Sequence, residues 1–105
     1  MIVLFKGLLS PERIAHVAAG GQALEKWDKS YTLSGNAPLC FRGKDFVKLY
    51  DQDELRLIAT ARRLGVRVIK VDRRADATSQ HIDLVGGPMR KVLAEAVQHQ
   101  GSNES

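Results

Sequence analysis

The sequence offers a small set of side chains that could take part in acid–base catalysis: Arg13, His16, Asp72 and Thr78. Arg13 follows Ser10, which predicts the cap of a helix, so its guanidinium is expected beside the free N–H groups of the first turn and could hold an anion. His16 could act as a general base because histidine titrates near neutral pH. The alternatives are a solvated surface arginine and a surface or edge histidine.

Asp72 comes directly after residues 66–71, an apolar run rich in β-branched side chains that predicts a strand. Ligands of open α/β sheets bind beyond the carboxyl ends of strands, so Asp72 is expected at a ligand-binding edge, together with the cations Arg73 and Arg74. An aspartate that only caps a turn is the alternative. His81 and Asp83 are two residues apart on a further predicted strand and therefore point the same way. They could form a proton-transfer pair, or merely mark the polar start of that strand.

The basic residues indicate a second kind of site. The chain has 16 Lys and Arg against 12 Asp and Glu, a formal net charge of +4, and a pI of about 9.5. Such a balance favours an anionic, phosphate-bearing partner, such as RNA, DNA or a nucleotide, without requiring one. The residues that we expect to bind phosphate are Lys48, Arg73, Arg74 and Arg90. Tyr31, Phe41 and Tyr50 could stack on bases.

Several classes of protein are not indicated by the sequence. It has no P-loop, no GxGxxG and no Cys/His spacing typical of a metal site, so we expect no cofactor and no metal. Cys40 is the single cysteine and is expected to be a half-buried apolar residue. Residues 1–5 are too short an apolar run for a signal peptide, and no run approaches a membrane span. These features predict a cytoplasmic protein without a membrane segment.

The spacing of apolar residues predicts an alternation of strands and helices. Strands are expected at residues 1–6, 45–50, 66–71 and 82–85. Helices are expected at residues 11–24, 53–64 and 88–97, the first with a stripe formed by Ile14, Val17, Ala18, Gly21 and Leu24. Gly20 and Gly21 disfavour this first helix, which either packs closely on another backbone or breaks there. Either Asp51 or Asp53 opens the second helix, and Gly65 is placed to end it.

This order predicts an α/β domain that spans residues 1–100, followed by a disordered tail at residues 101–105. We expect two or three layers, with a mixed sheet of about four strands flanked by three main helices. Residues 27–43 give no clear pattern, and Trp27 and Tyr31 could anchor either a short helix or a packed loop.

The order of these elements, together with particular residues, resembles the type 2 peptidyl-tRNA hydrolases. The strand at residues 46–50 leads into the acidic turn Asp51-Gln52-Asp53-Glu54-Leu55, and the helix ends in Leu64-Gly65-Val66. The last predicted strand closes in Gly87-Pro88. The resemblance extends over about residues 1–97, and its most specific parts are residues 53–66 and 87–88.

The resemblance implies an ester hydrolase that acts on peptidyl-tRNA or a related RNA. It places Arg13 where the family carries a lysine, whereas Val17 and Gly20 stand in place of a glutamine and a histidine. The spacing from Asp72 to Thr78 also differs from the family's Asp-Ala-Gly-x-Thr loop. The sequence therefore leaves enzymatic activity open. The alternative is a non-catalytic interaction module that kept the fold as a homodimer, because exposed sheet edges tend to pair.

Overall fold

The computed structural model describes residues 1–27 and 45–100. In this part of the chain the strands are β1 (Ile2–Phe5), β2 (Gln22–Trp27), β3 (Phe46–Tyr50), β4 (His81–Leu84) and β5 (Val97–Gln98). The helices are α1 (Pro11–Ala18), α2 (Glu54–Arg63) and α3 (Gly86–Glu95), with a 3₁₀ turn at Ala77–Ser79. None of these helices is long and apolar enough to cross a membrane. The expected loop around Tyr31, Cys40 and Phe41 and the expected tail lie outside the described residues.

The strands form one mixed sheet in the order β4-β3-β2-β1-β5. β1 pairs in parallel with β2 and with β5, whereas β3 is antiparallel to both β2 and β4. The crossover through α1 returns the chain in its original direction, which is why β1 and β2 are parallel. The prediction of a mixed α/β fold is confirmed, with five strands rather than about four.

The two faces of the sheet have different partners. On one face Leu24, Leu49 and Ile82 belong to a buried core that includes Leu57 of α2 and Val92 of α3. We call this the helix-pair face.

The opposite face packs against α1, and Phe5, Val17 of α1, Ala23 and Tyr50 form a smaller buried cluster there. We call it the polar face, because it also carries Glu25, Lys48, His81 and Asp83. The expected alternation along β3, with Lys48 and Tyr50 opposite Val47 and Leu49, is confirmed.

The first helix is shorter than expected, and the prediction of its apolar stripe was wrong in part. α1 ends at Ala18, and Gly20 adopts φ +99°, a conformation that ends the helix, so the expected break is the observed outcome. Leu24 lies in β2, where hydrogen bonding to strands on both sides overrides its helical spacing. Within α1 the buried residues are Arg13 and Val17, whereas Ile14 is 36% exposed.

The expected strand at residues 66–71 was also wrong. Only one isolated bridge forms in this region, between Asp72 and His81. Val66, Ile69 and Val71 instead pack as a loop against the core of the helix-pair face. The last helix begins at Gly86 rather than at Pro88. It ends at Glu95, and Val97–Gln98 then pairs with β1 as a short edge strand.

The start and end of α2 follow from local side-chain chemistry. Asp53 is the capping residue, since its carboxylate accepts the backbone N–H of Arg56 at 3.2 Å. Asp51 is fully buried and accepts the N–H of Asp53 at 2.8 Å, which fixes the entry into the helix. Gly65 follows the helix with φ +96°, as predicted for a C-terminal cap.

Candidate functional site

Arg13 lies beneath α1 and not on its surface. Its Nε donates to Glu25 Oε2 at 2.9 Å, and both side chains have no exposed area. Its Nη1 donates to the backbone carbonyl of Thr78 in the 3₁₀ turn. The guanidinium carbon lies 3.8 Å from the centroid of the Tyr50 ring, and the Tyr50 hydroxyl donates to Glu25 Oε1 at 2.8 Å. We call these three side chains, Arg13, Glu25 and Tyr50, the Arg13 network.

The Arg13 network joins α1, β2 and β3 through groups that must remain together. A buried ion pair is expensive to desolvate, and removing one partner alone costs about 3–5 kcal/mol. Burial and the nearby charge of Glu25 raise the pKa of Tyr50 far above its usual range, so Tyr50 acts as a neutral donor. Arg13 Nη2 has no hydrogen-bond partner in the part of the chain described here.

Beside this network lies a second group, which we call the His81 cluster: His81, Asp72, Asp83, Lys48 and Arg74. His81 opens β4, and its side chain is only 3% exposed. Its Nδ1 is 2.8 Å from the carbonyl oxygen of Ser79. Its Nε2 faces two carboxylates, 3.3 Å from Asp72 Oδ2 and 3.5 Å from Asp83 Oδ1.

The contacts of His81 determine where its protons lie. A carbonyl oxygen only accepts hydrogen bonds, so Nδ1 carries a hydrogen and donates to Ser79. In a neutral His81, Nε2 then presents a lone pair to the carboxylates of Asp72 and Asp83, which repel it unless a proton lies between them. Burial raises the pKa of Asp83 and lowers the pKa of His81. The two shifts bring the pKa values of His81 and Asp83 closer together, so a proton can pass between them, as in other closely coupled acid–base pairs.

Two cations border this pair. Lys48 is directly across from Asp83 in the register of β3 and β4, and its Nζ lies 4.0 Å from the centroid of the Trp27 ring. Burial lowers the pKa of Lys48, and the negative charge of Asp83 opposes that shift. Arg74 Nη2 is 3.0 Å from Asp72 Oδ2. The carboxylates are more accessible than the histidine that they face, because Asp72 is 43% and Asp83 28% exposed against 3% for His81.

Three of the predicted catalytic residues are connected by contacts and one is not. Arg13 reaches Thr78 through its backbone carbonyl, and Asp72 bonds to His81 through both backbone and side chain. The rings of Tyr50 and His81 join the two groups, with centroids 5.3 Å apart. His16 lies elsewhere on α1, where its Nε2 donates to the carbonyl of Gln22 at 3.1 Å.

The predicted phosphate-binding residues do not form one surface. Arg73 makes two 2.7 Å hydrogen bonds to the carboxylate of Glu54, and Arg74 is paired with Asp72. Lys48 lies on the polar face, whereas Arg90 is exposed on α3, which packs on the helix-pair face. Of the four, Lys48 and Arg74 are therefore the two that belong to the His81 cluster.

The sequence-based prediction of site residues omitted Glu25, the buried partner of Arg13. Glu25 was missed because the predicted first helix ran to residue 24, so no strand was expected at residues 22–27. The signal that identifies it is Ala23-Leu24-Glu25-Lys26-Trp27 taken as a strand, in which Glu25 falls on the same face as Ala23 and Trp27. His81 and Asp83 carried a usable signal, their spacing of two on a strand.

Comparisons with known proteins give no indication of function, so the geometry of the site is the basis for the proposal below. No protein-family model, curated protein or solved structure matches the chain. Within residues 1–27 and 45–100, no group of three or more His, Cys, Asp or Glu side chains is arranged to hold a metal ion.

Proposed function

We propose that this protein is a divergent hydrolase of the peptidyl-tRNA hydrolase type, which cleaves the ester between an acyl or peptidyl group and an RNA. The observation that supports it is the orientation of His81: Nδ1 is held by Ser79, and Nε2 faces Asp83 and Asp72. A histidine whose second nitrogen is fixed by a hydrogen bond, next to a partly exposed carboxylate, is suited to moving protons near neutral pH.

In the proposed reaction the exposed carboxylate meets the water and the histidine lies behind it. Ionised Asp83 accepts a proton from a water molecule that attacks the ester carbonyl, and His81 Nε2 shares that proton. The proton then passes to the ribose oxygen as the ester bond breaks. The products are a free carboxylic acid and an RNA hydroxyl, so one water is consumed and no other reactant is needed.

In this proposal Lys48 stabilises negative charge at the reacting carbonyl, which is supported by its position directly across from Asp83 in the register of β3 and β4. Arg74 is 53% exposed at the rim of the cluster. In this proposal its guanidinium leaves Asp72 and binds a phosphate of the RNA backbone. This assigns to Asp72 a second role, that of holding Arg74 in place before the RNA arrives.

The test is the release of free tRNA from an N-acetylated aminoacyl-tRNA by the purified full chain. We expect turnover by the wild type and a loss of about 100-fold or more in Asp83→Asn, the range for removing a general base. Glu95→Gln is the matched control, because it neutralises an exposed carboxylate that pairs with Arg63 and is not part of the His81 cluster. Its rate is expected to equal that of the wild type.

Absence of turnover at high enzyme concentration, in the presence of intact ester, rejects the hydrolase. A separate measurement then addresses binding, since a protein that contacts phosphates loses RNA affinity steeply as salt rises. We expect the double variant Lys48→Gln/Arg74→Gln to weaken this binding and to flatten its salt dependence. RNA binding that is equal in wild type and double variant would place the RNA elsewhere on the molecule.

The second candidate function is a non-catalytic homodimer, and a feature of the sheet favours it. β5 is an edge strand in the described part of the chain, and Val97 on it is 48% exposed. Unpaired edges are templates for pairing with another chain. Light scattering should show a dimer that Val97→Pro converts to monomer, whereas a strict monomer at high concentration excludes this candidate.

A further inference from the structure

The 3₁₀ turn Ala77–Ser79 is held by two side chains that belong to different parts of the molecule. Arg13 Nη1, from α1, donates to the carbonyl of Thr78. His81 Nδ1, from β4, donates to the next carbonyl along the chain, that of Ser79, at 2.8 Å. The two carbonyls belong to adjacent peptide planes that meet at the Cα of Ser79. The turn holds both planes, because the Ser79 N–H donates to the Asp76 carbonyl at 2.9 Å and the Gln80 N–H donates to the Ala77 carbonyl at 3.2 Å. While these bonds persist, the direction of the first carbonyl constrains the direction of the second.

The remaining bonds of the turn fix its ends. Asp76 caps it by accepting the N–H of Thr78 at 2.9 Å. Gln80 anchors its other end, as its Nε2 donates to the carbonyl of Asp51 at 3.0 Å. Arg13 is therefore the side chain that connects the middle of the turn to the helix and, through Glu25, to the sheet.

We infer that Arg13 is a positioning residue for the proposed reaction: by holding the Thr78 carbonyl it directs the Ser79 carbonyl at His81 Nδ1, which keeps Nε2 directed at Asp83. The role in catalysis rests on the proposed function, whereas the linkage from Arg13 through the carbonyls of Thr78 and Ser79 to His81 is a property of the fold. Arg13 cannot touch a substrate, because it has no exposed area. Its planar guanidinium suits the task, since it can donate to Glu25 and Thr78 at once in a fixed geometry.

Without this hold, His81 has a competing arrangement available. If the Ser79 carbonyl turns away, the neutral ring can place its hydrogen on Nε2 and donate directly to a carboxylate. Among residues 1–27 and 45–100, the groups that face His81 come from three directions. They are Asp83 on its own strand, Lys48 and Tyr50 on β3, and Asp72 and Arg74 on the loop before the turn.

The experiment is nitrogen-15 NMR of the histidine rings in the full chain, which identifies the protonated nitrogen directly. The chain has 3 His, so His16 and His99 are observed in the same spectrum. We expect wild-type neutral His81 to carry its hydrogen on Nδ1. In Arg13→Gln/Glu25→Gln, which leaves no unpaired buried charge, we expect the ratio of the two tautomers to move about fivefold toward Nε2–H, the effect of one lost hydrogen bond.

Arg63→Gln/Glu95→Gln is the matched control, since it removes an exposed Arg–Glu pair and should leave the His81 tautomer unchanged. His99, which stacks on Phe5 with ring centroids 4.6 Å apart, reports whether the sheet remains intact. If the double variant at Arg13 and Glu25 does not fold, Arg13→Lys decides. It keeps the charge beside Glu25 but lacks the planar fork, so the same shift is expected.

A His81 that keeps its hydrogen on Nδ1 in either folded Arg13 variant overturns the inference. The measurement needs no substrate, so its outcome is independent of whether the protein is a hydrolase. A shifted tautomer without any hydrolysis by the wild type rejects the enzyme but not the linkage. Hydrolysis with an unchanged tautomer rejects the linkage alone.

Discussion

At the scale of single residues, the His81–Asp83 pair has a chemistry that works against stability. His81 Nε2 and Asp83 Oδ1 are both buried atoms without a hydrogen-bond partner among the described residues, although they lie 3.5 Å apart. An unsatisfied buried polar atom costs about 1–3 kcal/mol. Sites that retain such atoms are commonly those in which function is favoured over stability.

Asp83→Asn should therefore stabilise the protein at pH 7 by about 1 kcal/mol, because the amide can donate to His81 Nε2. The pKa of Asp83 is raised by burial above its ordinary 3.8. A raised pKa means that its contribution to stability is fully present below pH 3.8 and is lost as pH rises, so the gain should vanish near pH 3. Urea unfolding at the two pH values measures it, and a loss of stability at pH 7 contradicts the assignment.

His16 and Gly21 form a second residue-scale contact that can be tested. A Cβ built on Gly21 would overlap the His16 ring, whose Nε2 donates to the Gln22 carbonyl. Gly21→Ala should displace the ring and lower the free energy of unfolding by about 1 kcal/mol. In a His16→Ala background the same change should cost close to nothing, and chemical denaturation of the four proteins measures the difference. Equal costs in both backgrounds would show that the ring is not the obstacle.

At the scale of elements, the start of α2 is organised by two aspartates with different tasks. Asp53 caps the helix from the surface. Asp51 is buried and binds three groups: the N–H of Asp53, the amide of Gln22 on β2, and the guanidinium of Arg56. Asp51 therefore connects the helix to the sheet, whereas Asp53 serves the helix alone.

The two aspartates should differ in their contributions to stability. Asp51→Ala is expected to lower the free energy of unfolding by about 3 kcal/mol, since it removes several hydrogen bonds to a buried charge. Asp53→Ala should cost about 1 kcal/mol, the value of a helix cap. Guanidinium unfolding monitored by circular dichroism compares them. A larger loss in Asp53→Ala would reverse the assignment of tasks.

At the scale of the whole molecule, one sheet separates two apolar clusters that share its strands. Leu49 belongs to the cluster on the helix-pair face and Phe5 to the cluster on the polar face. Ala23 and Leu24 are neighbours in β2 yet contribute to opposite clusters. Because the strands are common to both, loss of either cluster should disrupt the other.

We therefore expect one cooperative unfolding transition. Leu49→Ala and Phe5→Ala should each lower the free energy of unfolding by about 3 kcal/mol. The midpoint temperature of the transition should fall, and the transition should remain single. Differential scanning calorimetry compared with the circular dichroism melt is the measurement, and agreement of the calorimetric and van't Hoff enthalpies is the criterion. Two separate transitions in either variant would mean that the two faces fold independently.

The sequence by itself determined the features that depend on neighbouring residues. Ser10 predicts the start of α1, and its hydroxyl accepts the Arg13 N–H as a cap should. Gly65 predicts the end of α2, and the alternation in residues 46–50 predicts both faces of β3. The spacing of His81 and Asp83 predicts that their side chains lie on one side of a strand. Caps, turns and alternation are local, so local sequence is sufficient for them.

Only the tertiary structure decided the rest, because it depends on pairing between distant residues. β2 forms because strands lie on both sides of it, although Leu24 within it continues the helical spacing of α1. Residues 66–71 carry the residues of a strand, yet the bridge that this region makes to the sheet is a single one, from Asp72 to His81 of β4. Arg13 has the sequence position of a surface arginine. It is buried because Glu25, twelve residues on, and the Thr78 carbonyl lie within its reach once the sheet has formed.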